Sequence, residues 1–149
     1  MTSPIYTYTI TTVTSQRRSI FIRTANAELL VDTLFHYRDQ RRYLLHGFAI
    51  MPEHIHILIT PTEHQTLERC ALCIKGGYSH AIRKQFEGEI WQPGYHAHRI
   101  RDAADFQNQL AYIANNPERR RLHDHPHVHT KFSDRLDPTP ANLVAHPNR

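Results

Sequence analysis

The chain has 149 residues, 40% of them hydrophobic, which suits one domain with a modest core rather than several. No apolar run approaches the ~18 residues of a bilayer span, and MTSPIYTYTI has neither the basic start nor the apolar block of a secretory signal, so a cytoplasmic protein with no membrane partner is expected. The formal charge is +4 and the pI near 9.3. Only three of the eighteen basic residues are lysines, and arginine's planar fork suits phosphate recognition better than a lysine point charge does.

Tyr6–Ser15, YTYTITTVTS, is rich in threonine, tyrosine and β-branched residues and predicts a strand. Ala25–Tyr37 places Leu29, Leu30, Thr33, Leu34 and Tyr37 at helical spacing, with Asn26 as an early cap. Tyr43–Ile50 and Ile55–Thr60 predict a hairpin turning at Pro52 and Glu53. The pattern is helical again over Thr66–Phe86, with a bend expected at Gly76 and Gly77. Cys70 and Cys73 fall within it, and with no second pair to complete a four-thiolate zinc site they read as reduced helix residues. After the turn-rich EGEIWQPG, YHAHRI predicts a short strand and Asp102–Asn116 a last helix that Pro117 stops.

The order β-α-β-β-α-β-α predicts an α+β fold. It matches a ferredoxin-like split β-α-β antiparallel sheet with helices on one face and one further helix at the C-terminal end. Residues 1–122 form that domain. The remainder, 123–149, is HDHPHVHTKFSDRLDPTPANLVAHPNR, with few apolar residues, and is expected to be a flexible tail.

Two regions carry residues suited to chemistry. In MPEHIHILI, strand alternation puts His54 and His56 on one face, where they either bind one divalent ion or are ordinary polar residues of a solvated sheet. A catalytic ion needs a third ligand and an open position as well. In DFQNQLAYIANNPERRRL, Phe106, Leu110 and Ile113 share the core face of a helix. Tyr112 lies about a third of a turn away, with Asp105, Gln109 and Asn116 on its side. A phenol there is a candidate nucleophile and the Asn116 amide oxygen a candidate third ligand, or the two are a rim tyrosine and a helix-ending asparagine.

MPEHIHILI, IKGGYSHAIRKQF, WQPGYHAHRIRDAADF and YIANNP occur in the order seen in the REP-associated tyrosine transposases, which the chain resembles from roughly Tyr6 to Leu122. These are relatives of the HUH single-strand transposases of small insertion sequences. The resemblance implies a ferredoxin-like fold and a catalytic last helix. It implies Mg²⁺ or Mn²⁺ held by His54, His56 and Asn116, and attack on DNA by Tyr112. A 5′-phosphotyrosyl link and a free 3′-OH would follow, with no ATP required.

The implied partner is single-stranded DNA folded into a hairpin, acted on by a monomer or homodimer in the nucleoid. Arg17, Arg18, Arg41, Arg42, Lys75, Arg99, Arg101, Arg119 and Arg120 are the expected DNA contacts. The chain departs from the family pattern at Glu53, where asparagine is common, in the exit NPERRRL, and at Ala97 or His98, where an aspartate is often found.

Three other readings compete. Tyr95 in GYHAH is a rival nucleophile beside His96 and His98. His125, His127 and His129 alternate as in the His-triad nucleotide hydrolases, although Pro126 interrupts the segment. A catalytically silent DNA-hairpin-binding protein would keep the same fold and basic surface.

Overall fold

The structure, a computed structural model, describes residues 5–119 and 134–144, side chains included except for 116–119. Four strands form: β1 (Tyr8–Val13), β2 (Tyr43–Ile50), β3 (His54–Pro61) and β4 (His96–Arg99). They align in the order β2-β3-β1-β4, each neighbouring pair antiparallel. Helix α1 (Thr24–Asp39) joins β1 to β2, α2 (Leu67–Ile82) joins β3 to β4, and α3 (Ala103–Arg119) follows β4. This is the split β-α-β arrangement the sequence predicts.

Period-two alternation then decides what each helix covers. Ile55, Ile57 and Ile59 of β3 join Ile10, Leu45, Phe48 and Ile50 in the larger core, packed by Leu30 and Leu34 of α1 and by Ile74 and Tyr78 of α2. Leu58 and Ala49 look the other way, into a smaller core with Ile100 and with Phe106 and Ile113 of α3. So α1 and α2 cover one face and α3 the opposite one, a placement the expectation of an appended last helix left open. Phe106 and Ile113 are each 1% exposed, and burial of such side chains stabilises by about 1.5–3 kcal/mol apiece.

Several local expectations give way to packing. Asn26 lies inside α1 rather than capping it, and its amide donates to the Ile20 carbonyl at 2.9 Å. The bend expected at Gly76 and Gly77 is absent as a break, because α2 runs continuously from its Thr66 cap, whose hydroxyl accepts from Arg69 N. Gly77 is needed instead for a close approach: a Cβ there would stand 2.6 Å from the Tyr37 hydroxyl. Likewise α3 continues to Arg119 and is not stopped by Pro117. A proline forfeits its own N–H in the helical ladder, but here the neighbouring residues keep helical form.

The largest correction concerns residues 134–144, which pack on the fold where a flexible tail is expected. β2 is an edge strand with a register shift between Leu45 and Gly47, so its backbone needs partners. Asp137 supplies them: its N–H donates to the Leu45 carbonyl at 2.8 Å, and its carboxylate accepts from Leu45 N–H at 2.8 Å. Arg38 grips the same carboxylate through Nε and Nη2 at 3.1 and 2.8 Å. Leu136 packs against the larger core, and Leu143, 8% exposed, completes the smaller one under α3. A strap thus crosses from the β2 edge to the α3 face.

Candidate metal and nucleophile site

The short turn between β2 and β3 starts the site. It is pinned from several sides: Met51 N–H donates to the His54 carbonyl at 2.8 Å, Phe21 N–H to the Pro52 carbonyl at 3.0 Å, and Thr14 N–H to the Glu53 carbonyl at 2.9 Å. His54 and His56 then emerge on the α3 face, because the isoleucines between and after them are claimed by the larger core. Their Nε2 atoms converge to 3.1 Å, with the rings at a steep angle of 83°. Each remaining ring nitrogen is held: His54 Nδ1 lies 2.9 Å from the Glu53 carboxylate, and His56 Nδ1 lies 2.9 Å from the Thr11 hydroxyl. Burial, reinforced by the neighbouring His54, pushes the His56 imidazole down to about 4. At neutral pH it is an uncharged ring with a lone pair to give.

The pair fits a divalent ion. Two donors at right angles on an octahedral ion, with bonds of about 2.1 Å, stand ~3.0 Å apart, close to the 3.1 Å seen between the two Nε2 atoms. Among the described residues no group of three or more His, Cys, Asp or Glu is placed to hold an ion. Two imidazoles leave most positions open for phosphate oxygens and water. The expected third ligand, the Asn116 side chain, lies outside the described side chains.

Tyr112 approaches this pair from α3. Its ring centroid is 5.6 Å from that of His56 at an interplanar angle of 79°, and the residue is 42% exposed. The helix is fixed by Phe106 and Ile113 below and, one end along, by Asp105. That carboxylate, 7% exposed, accepts from His98 Nε2 at 2.9 Å and from Arg101 N–H at 2.9 Å. Burial alone would raise the Asp105 carboxyl, but the Arg101 and His98 hydrogen bonds outweigh it and hold the pKa low. The residues His56, Thr11 and His96 lie in one row across β3, β1 and β4. Tyr95 lies just before β4 and faces away from them. It packs against the larger core, and burial raises its phenol, so the rival nucleophile is on the other side of the sheet from the histidines.

The expected DNA contacts are not gathered into one patch. Arg17 is exposed, with φ 51°. Arg18 is committed to the Ser15 and Glu89 carbonyls and lies over Phe86, and Lys75 to the Gln92 and Gly94 carbonyls. These lie toward the His54 end of the sheet, since Thr14 pairs with Trp91 and bonds to Glu53. Arg41 and Arg42 sit at the opposite end of the hairpin, where Thr62 bonds to their carbonyls. Arg99 and Arg101 are at the far end of β1: Arg99 covers the Tyr6 ring at 4.5 Å and Arg101 faces Asp105 at 3.6 Å. The Arg119 side chain, Arg120 and the HDHPHVHT segment lie outside the described residues.

The sequence alone does not single out Thr11, Glu53 as a partner of His54, or the His98–Asp105 pair. Glu53 was visible as a departure from the family pattern. Thr11 could be found only from the register that sets it opposite His56.

β3, a central strand of the ferredoxin-like sheet, thus carries a His-hydrophobic-His pair, and α3 lays a tyrosine beside it. A family model described as IS200-like transposase matches residues 3–116, and the chain belongs to that family. It is 26% identical over 107 residues to the REP-associated tyrosine transposase of Escherichia coli (strain K12), a match that takes in 71% of this chain and 63% of that protein. The chain therefore spans less than two thirds of that curated relative. A solved structure of a REP-associated tyrosine transposase bound to a REP hairpin superposes with a TM-score of 0.74 at 22% identity, covering 99% of this chain and 92% of that one. A candidate transposase from Deinococcus radiodurans shares the fold at TM-score 0.58 and 21% identity, over 76% of this chain and 92% of the other. No helix among the described residues is long and apolar enough to cross a membrane.

Proposed function

We propose that this chain is a metal-dependent single-strand DNA transposase or nickase that cleaves and rejoins hairpin DNA through a 5′-phosphotyrosine at Tyr112. The observation that carries the reading is the Tyr112 ring lying 5.6 Å from His56, beside two Nε2 atoms 3.1 Å apart. His54, His56 and Asn116 would hold Mg²⁺ or Mn²⁺, which when bound would supply positive charge to offset the negative charge developing on the phosphate. The Tyr112 oxygen forms one P–O bond as the bond to the 3′ oxygen breaks, and the phenol proton leaves with the departing 3′-OH through solvent. Because one ester replaces another, a second 3′-OH reverses the step and joins strands. α3 keeps the phenol near the imidazoles through Phe106 and Ile113, which limits the loss of orientation that a loop would bring.

The hairpin partner is supported by the E. coli relative's designation and by the REP hairpin in the solved neighbour. Of the basic residues singled out in the sequence, Arg17, exposed at the His54 end of the sheet, is the best placed for a phosphate contact, whereas Arg18 and Lys75 are already held by backbone carbonyls; a monomer or homodimer would act in the nucleoid. The test uses purified protein, Mn²⁺ and labelled hairpin DNA carrying single-stranded flanks. A protein–DNA adduct that survives denaturant is expected, with Tyr112→Phe losing the adduct and keeping the binding. An adduct that persists in Tyr112→Phe defeats the assignment, and wild-type binding without any adduct favours a catalytically silent hairpin binder.

A further inference from the structure

We propose that Glu53 and Thr11 are positioning residues for the histidine pair: Glu53 fixes which nitrogen His54 presents, Thr11 holds the His56 ring through a change of tautomer, and together they set the affinity for the divalent cation. The inference rests on the reading of His54 and His56 as metal ligands.

Glu53 acts on His54. Its carboxylate is an acceptor only, so the proton of a neutral His54 ring must reside on Nδ1, 2.9 Å away, and Nε2 is left as the lone-pair nitrogen. The turn that carries Glu53 is fixed by the Thr14 and Phe21 backbone bonds. The carboxylate therefore cannot drift far from the ring. The Glu53 and His54 side chains are only 12% and 14% exposed. A carboxylate withdrawn from water beside two imidazoles strengthens the donor character of the ring it touches and offsets the charge of an incoming dication.

Thr11 acts on His56 in a different way. A hydroxyl both donates and accepts, so it suits either tautomer of the ring 2.9 Å from it. In the cation-free arrangement His56 Nε2–H donates to His54 Nε2 across 3.1 Å, and the Thr11 hydroxyl donates to His56 Nδ1. With a cation present both Nε2 lone pairs are required. The His56 proton then exchanges through water and reappears on Nδ1, where Thr11 Oγ1 accepts it. No proton is gained or lost overall. Glu53 thus fixes the tautomer of His54, whereas Thr11 keeps the His56 ring in place in either tautomer, a division of labour that a pair of acceptors would not allow.

The experiment measures Mn²⁺ affinity of the full chain without DNA, by electron paramagnetic resonance titration. Wild type is compared with Glu53→Gln, Thr11→Val and His54→Ala. Long-range ¹H–¹⁵N spectra report the imidazole tautomers, and thermal melting without metal reports the fold. Glu53→Gln and Thr11→Val are each expected to weaken Mn²⁺ binding about 10–100-fold. The wild-type His54 signal is expected to show the Nδ1–H tautomer, and Glu53→Gln to show a mixture.

Unchanged affinity in both variants overturns the proposal while the metal reading stands. A loss in Glu53→Gln as complete as in His54→Ala makes Glu53 a ligand and also overturns it. If wild type binds no Mn²⁺, both readings fall. Should Glu53→Gln fold poorly, Thr11→Val and the wild-type tautomer still decide the matter.

Discussion

Asp137→Ala perturbs the strap at its anchor. The substitution removes two bonds to Arg38, at 3.1 and 2.8 Å, and the acceptor for Leu45 N–H at 2.8 Å. The Arg38 side chain is 35% exposed and that of Asp137 12%, so the ion pair is discounted for solvent to about 1 kcal/mol. Stranding a backbone N–H adds about 1–3 kcal/mol. The sum is ~2–4 kcal/mol, or a fall in Tm of about 4–16 °C for a chain of this size. Acid narrows the difference. Burial raises the Asp137 carboxyl, but the bonds from Arg38 and Leu45 outweigh it and leave the folded pKa below the ordinary value. A depressed folded pKa means the stabilisation is fully present above the unfolded carboxylate's ~3.9 and is lost as pH falls through the folded value. Thermal melts at neutral pH and in stronger acid check this. Equal melting temperatures at neutral pH, or a gap that persists undiminished once the carboxyl is protonated, would refute the anchoring role.

Gly77→Ala places a methyl 2.6 Å from the Tyr37 hydroxyl and is expected to cost about 1–3 kcal/mol by chemical denaturation, part of which the double variant with Tyr37→Ala recovers. Thr60→Val breaks a buried chain in which the Thr60 hydroxyl meets His46 Nε2 at 2.8 Å and the Thr7 hydroxyl at 2.6 Å. The expected loss is ~1–3 kcal/mol, read in the same assay. His46 itself has its pKa lowered by burial, so its neutral form contributes stability that is complete above the unfolded value of ~6.5 and declines as pH falls below it. His46→Phe should therefore flatten the pH dependence of unfolding below about pH 6.5, and an unchanged slope there counts against a buried neutral ring.

The parts of the fold that were legible in the sequence are those with a strong local period. The hairpin of β2 and β3 was readable because MPEHIHILI alternates around a turn, and the same alternation put His54 and His56 on a shared face. The helix carrying Tyr112 was readable from Phe106, Leu110 and Ile113. What escaped depends on contacts between distant segments. Thr11 is an unremarkable threonine in YTYTITTVTS until the β1–β3 register sets it opposite His56. Gly77 reads as a helix breaker until Tyr37 of α1 is known to fill the space beside it. The strap was missed because its attachment uses a few well-placed side chains, Leu136, Asp137 and Leu143, with no periodic apolar run.

Those distant contacts converge on α3. Its inner face shares one small core with Leu58 of β3, in the same alternation row as His54 and His56, and with Leu143 of the strap. His46 touches the Phe106 ring at 5.3 Å and bonds to the Asp137 carbonyl at 3.1 Å, so the strap's anchor and the helix meet at one buried imidazole. At the helix's other end, Tyr112 meets His56. A packed core transmits displacement because its side chains have few alternative positions. The position of the phenol over the imidazoles is thus held by Phe106 and Ile113 directly, and by the strap through them. Loosening the strap should therefore lower the rate of adduct formation at Tyr112 more than it lowers Mn²⁺ affinity at His54 and His56, whose supports, Thr11 and Glu53, lie on β1 and the β2–β3 turn.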